Sequence, residues 1–180
     1  MTVRQESLIP APADDVITIG PTAEMRIVVH GEPQPQGSKT KGRWGNIYDD
    51  NDAVLRPWRA VVSSAARDAI ELEHGAHPDL PIHPRHTAIA VELTFTYART
   101  GGHFGTGRNA GVLKDTAPRH CVMGRDVDKL ARAVLDALTD VGLYKDDKQV
   151  VALLARKTYP GGHADALQIP GAVIRVRALP

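Results

Sequence analysis

Cysteine is almost missing from this 180-residue chain, with Cys121 the only one. One thiol excludes an intrachain disulfide and a thiolate metal cluster, so folding must rest on packing. Long apolar runs are missing too: no window approaches the roughly 18 uninterrupted apolar residues of a membrane-spanning helix. The opening MTVRQESLIPAPADD lacks the basic-then-apolar order of a secretion signal. The expectation is a soluble cytoplasmic protein with no membrane partner. A strong charge of either sign is also absent, at a formal net +1. That average hides an uneven distribution. Residues 1–24 hold Arg4 against Glu6, Asp14, Asp15 and Glu24, so the rest of the chain is mildly basic. Between Arg99 and Arg132 the basic surplus is strong enough to suit phosphate groups.

What is present is enough for one core: 42% of the residues are hydrophobic, in a length typical of a single domain. Residues 1–24 show no sustained period and read as a flexible N-terminal arm, leaving 25–180 as the folded domain. Met25 to His30 is a β-branched run ending in Gly31 and Pro33, which predicts a strand. Asn51 and Asp52 are candidate caps for a helix with apolar positions Val54, Trp58, Val61, Ala65, Ala69 and Leu72, ending near Gly75. Ile89, Val91, Leu93, Phe95 and Tyr97 alternate with Ala, Glu and Thr, as in a strand with one buried face. Residues 99–124 show neither period, and a loop of that length is usually functional. Val127, Leu130, Ala131, Val134, Leu135, Leu138 and Val141 make a helical stripe closed by Gly142. Two strands follow, over 149–159 and 172–179. The predicted fold is α+β, a small mixed sheet with two main helices in the order β-α-β-α-β-β.

The chemistry concentrates in RDVDKLARAVLDALTDVGLYKDDKQVV. Asp126 reads as a helix N-cap and Asp128 as the second helical residue, so both carboxylates border the helix mouth. Leu143 and Tyr144 turn the chain back toward Asp146 and Asp147. Three carboxylates brought close would repel unless a cation neutralised them, and hard oxygen ligands suit Mg²⁺ or Mn²⁺. The plainer reading is that acids favour helix N-termini as caps and that an Asp-Asp pair often starts a turn. Asp136 and Asp140 fit ordinary helix-surface pairs with Arg132.

The order Asp126-x-Asp128-x-Leu130, Asp136-Ala137-Leu138, Asp146-Asp147 and Gln149-Val150-Val151 resembles the RusA-like Holliday-junction resolvases across about 35 residues. The EPQPQGSK and GTGRNAGVLK loops extend the likeness more weakly over most of residues 25–178, in the manner of phage-type members. The resemblance implies a Mg²⁺-dependent (or Mn²⁺-dependent) endonuclease acting on four-way DNA junctions as a homodimer, in a bacterial or phage-infected cell. It implies paired nicks with 5′-phosphate and 3′-hydroxyl ends. The family's acids carry over onto Asp126, Asp128 and Asp147, with Asp146 a secondary candidate ligand, and its strand-end lysine matches Lys157. Two positions depart from the pattern: Lys129 stands where the family has Asn, and Arg132 where it has a catalytic Lys. Arg132 can stabilise phosphate charge, but its very high pKa makes it a poor proton donor.

Lys39, Lys41 and Arg43 surround Trp44 and Tyr48, a mixture of cations and aromatics able to clasp a phosphate backbone or stack on an unpaired base. Arg99, Arg108 and Lys114 are further DNA-binding candidates. The Gly-rich run at 101–111 lacks the GK[ST] ending of a phosphate loop, which excludes a nucleotide cofactor. His74, His77, His83 and His86 lie in a Pro-rich connector without cysteine and match no zinc spacing.

Overall fold

A computed structural model describes residues 24–37, 39–41, 47–49, 52–74 and 83–180. The arm assigned to residues 1–24 lies outside them except for Glu24, which opens the first strand and belongs to the folded domain. In chain order the elements are β1 (Glu24–His30), β2 (Lys39–Lys41), β3 (Ile47–Asp49), α1 (Asp52–His74), β4 (Ile89–Thr96), α2 (Val127–Asp140), β5 (Val150–Thr158) and β6 (Gly171–Ala178). The main sheet runs β1-β6-β4-β5, while β2 and β3 form a separate antiparallel hairpin. β6 is antiparallel to both β1 and β4, whereas β4 and β5 are parallel. Parallel neighbours need a crossover, and α2 supplies it. The predicted α+β order holds, with the β2–β3 hairpin added inside the first long loop.

Both helices cover one face of the sheet, α1 over β1 and α2 near β5, and pack on each other. The core between the layers combines Ile27, Leu93, Phe95, Ile174, Leu130, Val134 and Leu138. In α1 the buried positions are Leu55, Trp58, Val62 and Ala66, while Val54, Val61 and Leu72 are exposed. The predicted stripe holds at Trp58, which is buried, and at Ala65 and Ala69, which pack against the core, but it misses at Val54, Val61 and Leu72. Val54-Leu55, Val61-Val62 and Ala65-Ala66 are adjacent apolar pairs, so either register satisfies a 3.6-residue period. α2 ends as its sequence demands: Gly142 takes φ +76, its N–H donates to Thr139, and Leu143 N–H donates to Leu138. These are the paired bonds of a Schellman cap.

β4 was expected to bury one face only, yet Ala90, Thr94 and Thr96 are buried as well as Leu93 and Phe95. It lies between β6 and β5, and the segment before β6 folds over its far side, where Leu167 N–H donates to Thr96 Oγ1. That outer face carries an ionic lattice. Arg26 and Arg175 sit opposite each other in register, and like charges there would repel. Buried Asp165 lies between them, accepting from Arg175 Nε at 2.9 Å and Nη2 at 2.6 Å, with Arg26 Nε at 3.9 Å. Arg175 also binds Glu24, and Arg177 binds Glu92 at 3.2 Å.

The paired hydrogen bonds from Arg175 hold the Asp165 carboxyl below its usual range. A depressed carboxyl pKa contributes stability that is fully present above the unfolded value, about 4, and lost as pH falls through the folded value. Asp165→Asn should therefore cost about 2 kcal/mol at pH 7, measured by urea unfolding. The gap between wild type and variant should close in acid, and a gap independent of pH would contradict this account.

Candidate functional site at the mouth of helix α2

Three ties fix the N-terminal end of α2. Lys157 Nζ, on β5, donates to the carbonyls of Met123 at 3.2 Å and Arg125 at 2.9 Å, just before the helix. Gln36 N–H, in the loop after β1, donates to Lys129 O in the first turn at 2.9 Å. Gly124 takes φ +87 with the Tyr97 ring beneath it, and a Cβ there would stand 3.2 Å from that ring. Only glycine meets both constraints. Tyr97 in turn donates to Pro33 O at 3.3 Å, joining the two loops under the helix mouth.

Asp126 has N-cap backbone geometry, with φ −63 and ψ 130, but its side chain makes no capping hydrogen bond. The expected cap is a cap in backbone only, which leaves the carboxylate turned outward. Its Oδ2 lies 3.6 Å from Lys129 Nζ, with the Asp126 side chain 70% exposed. Asp128 is exposed in the first turn. The acid pair expected at the helix mouth is there, together with the lysine that replaces the family's Asn.

The return turn settles differently. Asp146 caps a short 3₁₀ turn over Asp147–Gln149: its Oδ1 accepts from Lys148 N–H at 3.0 Å, and Gln149 Oε1 accepts from the N–H groups of Lys145 and Asp146. The Lys148 hydrogen bond holds the Asp146 carboxyl below its usual range. Asp146 thus acts as the turn-starting acid of the plainer reading. Asp147 is exposed, and its charge falls on Asp136 and Tyr144. Burial pushes the Asp136 carboxyl up, against the pull of Arg59 and Arg132. The turn that carries Asp147 packs against α2, within electrostatic reach of Asp136. Asp136 lies two turns, about 12 Å, beyond Asp128 along the axis. Among the described residues no three Asp, Glu, His or Cys side chains converge at metal-holding distance.

Asp136 and Asp140 were expected to pair with Arg132 on the helix surface. Their closest cation is Arg59 of α1, whose Nη2 stands 2.5 Å from Asp140 Oδ2 and Nη1 3.8 Å from Asp136 Oδ2. Asp136 was missed as a neighbour of Asp147, although its 4- and 8-residue spacings from Arg132 and Asp128 put all three on one helix face. Arg132 is exposed there.

The basic candidates divide. Arg99 stacks over the Tyr159 ring at 4.3 Å and donates to Pro118 O at 3.0 Å, while Lys114 Nζ donates to Gly102 O at 2.9 Å. Arg108 is exposed. The 99–124 loop, read as structureless, contains two 3₁₀ turns and a Phe104–Leu113 bridge. His103 packs edge-on against Tyr159 at 5.4 Å and ties it to the body. Lys39 and Lys41 belong to β2, and Arg43 and Trp44 lie outside the described residues. Cys121 is a buried free thiol.

These features describe a two-layer α+β domain that sets carboxylates and cations along one helix. The chain matches the model of the family Endodeoxyribonuclease RusA over residues 29–166, most of its length, and it belongs to that family. No curated protein sequence matches it. Nucleases of this family are generally dependent on a divalent metal. The donor chemistry at the mouth fits that requirement: Mg²⁺ commonly takes one or two carboxylates, keeps several waters and completes its shell with substrate phosphate. Asp126 and Asp128 offer hard oxygens that no cap hydrogen bond occupies, and Asp147 borders the same helix face. No helix among the described residues is long and apolar enough to cross a membrane.

Lys157, a DNA-contact candidate, spends two of its three N–H donors on the chain leading into Asp126. Lys157→Met should accelerate amide exchange across residues 124–129 and leave the β4 and β6 amides unchanged. Unaltered exchange at 124–129 in hydrogen–deuterium measurements would remove its positioning role.

Proposed function

We propose that this protein is a divalent-metal-dependent endonuclease that resolves four-way DNA junctions by paired nicks, acting as a homodimer in DNA recombination, repair or phage DNA processing. The observation that carries the reading is the outward-facing acid pair Asp126 and Asp128 at a helix mouth, in a chain of the RusA family. Mg²⁺, when bound, supplies polarisation of the scissile phosphate and a bound water of lowered pKa. The protein's own residues do the rest. Asp126 and Asp128 supply carboxylates beside the reacting phosphate, and Asp147, farther along the same helix face, adds negative charge to the metal's surroundings. Arg132, fixed in charge on the face of Asp128 and Asp136, offsets negative charge as the phosphodiester opens. Arg108 and the loop around it, with the Lys39–Trp44 segment, hold flanking DNA through its backbone. Two strands must be cut in matched positions, and a two-fold dimer with one site per subunit meets that requirement.

One observation favours a second reading, a branched-DNA binder that cuts poorly. Lys129 Nζ stands 3.6 Å from Asp126 Oδ2 and competes for a carboxylate that the metal needs. A preference for flaps over four-way junctions is the remaining variant of the nuclease reading.

Labelled four-way junction, flap and linear duplex, incubated with Mg²⁺, with Mn²⁺ and with chelator, separate these readings. We expect paired nicks on the junction that need metal, and Asp128→Asn should abolish them while binding persists. Binding without cuts under every metal would select the binder, and no binding at low salt would sink both.

Lys129→Asn tests the competing cation apart from turnover. Removing an exposed charge close to a ligand is worth about 1 kcal/mol, so Mn²⁺ titration followed by its paramagnetic signal should show affinity about fivefold tighter. Equal affinities would clear Lys129 of interference.

A further inference from the structure

Segment 83–87 is pinned along the return turn that carries Asp147. His83 N–H donates to Leu143 O at 3.0 Å, and His83 and Tyr144 form an isolated parallel bridge. Buried Gln149 supplies the clamp: its Nε2 donates to Pro84 O at 2.8 Å and Thr87 O at 3.2 Å, while its Oε1 accepts from Lys145 and Asp146. Every hydrogen-bonding position of that amide is filled, so the two turns are rigid with respect to each other. Between them opens a pocket of about 430 Å³ whose polar rim is Arg85, His86, Thr87, Asp146, Lys148 and Gln149, with Ala88 and Val151 completing the wall.

The polar rim has the chemistry of an anion site. Arg85 and Lys148 bring two fixed positive charges, Thr87 a hydroxyl, and His86 an imidazole. The single carboxylate, Asp146, already accepts from Lys148 N–H and lies 3.6 Å from Lys148 Nζ. The pocket is shallow and open to water, with Lys148 86% exposed. That suits a hydrated backbone phosphate better than an enclosed small molecule. Its position is informative as well. Asp146 and Lys148, which flank Asp147, line the pocket, whereas the charge of Asp147 falls on α2. One three-residue turn therefore joins the proposed cutting site to this pocket.

We infer that the pocket between residues 85–88 and 146–149 is a phosphate subsite that grips the backbone of the DNA strand flanking the reacting bond, with Arg85 and Lys148 as its cations. The inference rests on the nucleic-acid reading above. It adds an anchoring point on segments other than the basic loops, and it reads charge and not base sequence.

The test uses the full chain, a fluorescent four-way junction and chelator, so that binding is measured without cutting. Arg85→Gln/Lys148→Gln should bind several-fold more weakly at low salt, and its plot of log affinity against log salt should flatten by about 1, the signature of one lost phosphate contact. Arg56→Gln/Arg67→Gln, which removes two exposed charges from α1, is the matched control and should keep the wild-type slope. Equal slopes for wild type and the pocket variant would overturn the subsite, as would an equal loss in the control. Titration with inorganic phosphate checks the source of the anion: millimolar phosphate bound by wild type and lost in the variant, with junction affinity unchanged, would make this a free-anion site and refute the proposal. A wild type that binds the junction but never cuts leaves the subsite standing, whereas one that binds no DNA refutes both readings.

Discussion

The burial of one stripe of α2 against the sheet is the constraint on which everything else hangs. Leu130, Val134, Ala137 and Leu138 are completely withdrawn from solvent, which fixes the helix in rotation as well as in place. With that stripe facing inward, Asp128, Arg132 and Asp136 have only the outer face left to them. The parallel pairing of β4 and β5 follows from the same helix, because the chain must cross over to start β5 beside β4. The acids at the two ends of this crossover are thereby delivered to one side of the molecule by core packing and not by mutual attraction, which would be absent between like charges.

Much of this was legible in the sequence because α2 is unambiguous: a single apolar stripe, acids at its start and Gly142 at its end. α1 was legible as a helix and at Trp58, Ala65 and Ala69, but its doubled apolar pairs left the exact edge of the buried face open, and only the position of β1 decides it. The Asp126–Asp128 pair could be read from cap preferences, yet the missing cap hydrogen bond of Asp126 could not, because residue type sets the preference for a cap and not the rotamer adopted. The chain was expected to return Asp147 beside Asp126 and Asp128, but where that return ends depends on how Tyr144 seats, its hydroxyl donating to Leu135 O at 3.2 Å. Periodicity has nothing to say about such a contact. Arg99, Lys114 and Lys157 illustrate the same gap: a basic residue in a loop looks available for phosphate until the carbonyls it binds are known.

The charges fall into two populations with different physics. On the outer face of the sheet, Arg175, Asp165 and Glu24 form half-buried, multiply hydrogen-bonded pairs that set strand register and contribute stability. At the mouth of α2 the charges are exposed and loosely paired, as in the 3.6 Å contact between Lys129 and Asp126, whereas Asp140 at its far end is held by Arg59. Loose pairs cost little to break, which leaves those groups free to exchange partners when a ligand of opposite charge arrives. Membership in the RusA endodeoxyribonuclease family fits that division: the tight lattice supports the scaffold, and the exposed charges at the helix mouth stay free to take other partners.

Gln149 has one more implication, for how this scaffold tolerates change. By anchoring residues 84–87 from the strand side, it makes the start of β4 independent of the chain that precedes it. Lengthening or shortening the stretch between His74 and His83 would then be absorbed upstream of the anchor. The glutamine and the two carbonyls it binds are the part of this junction that has to stay together.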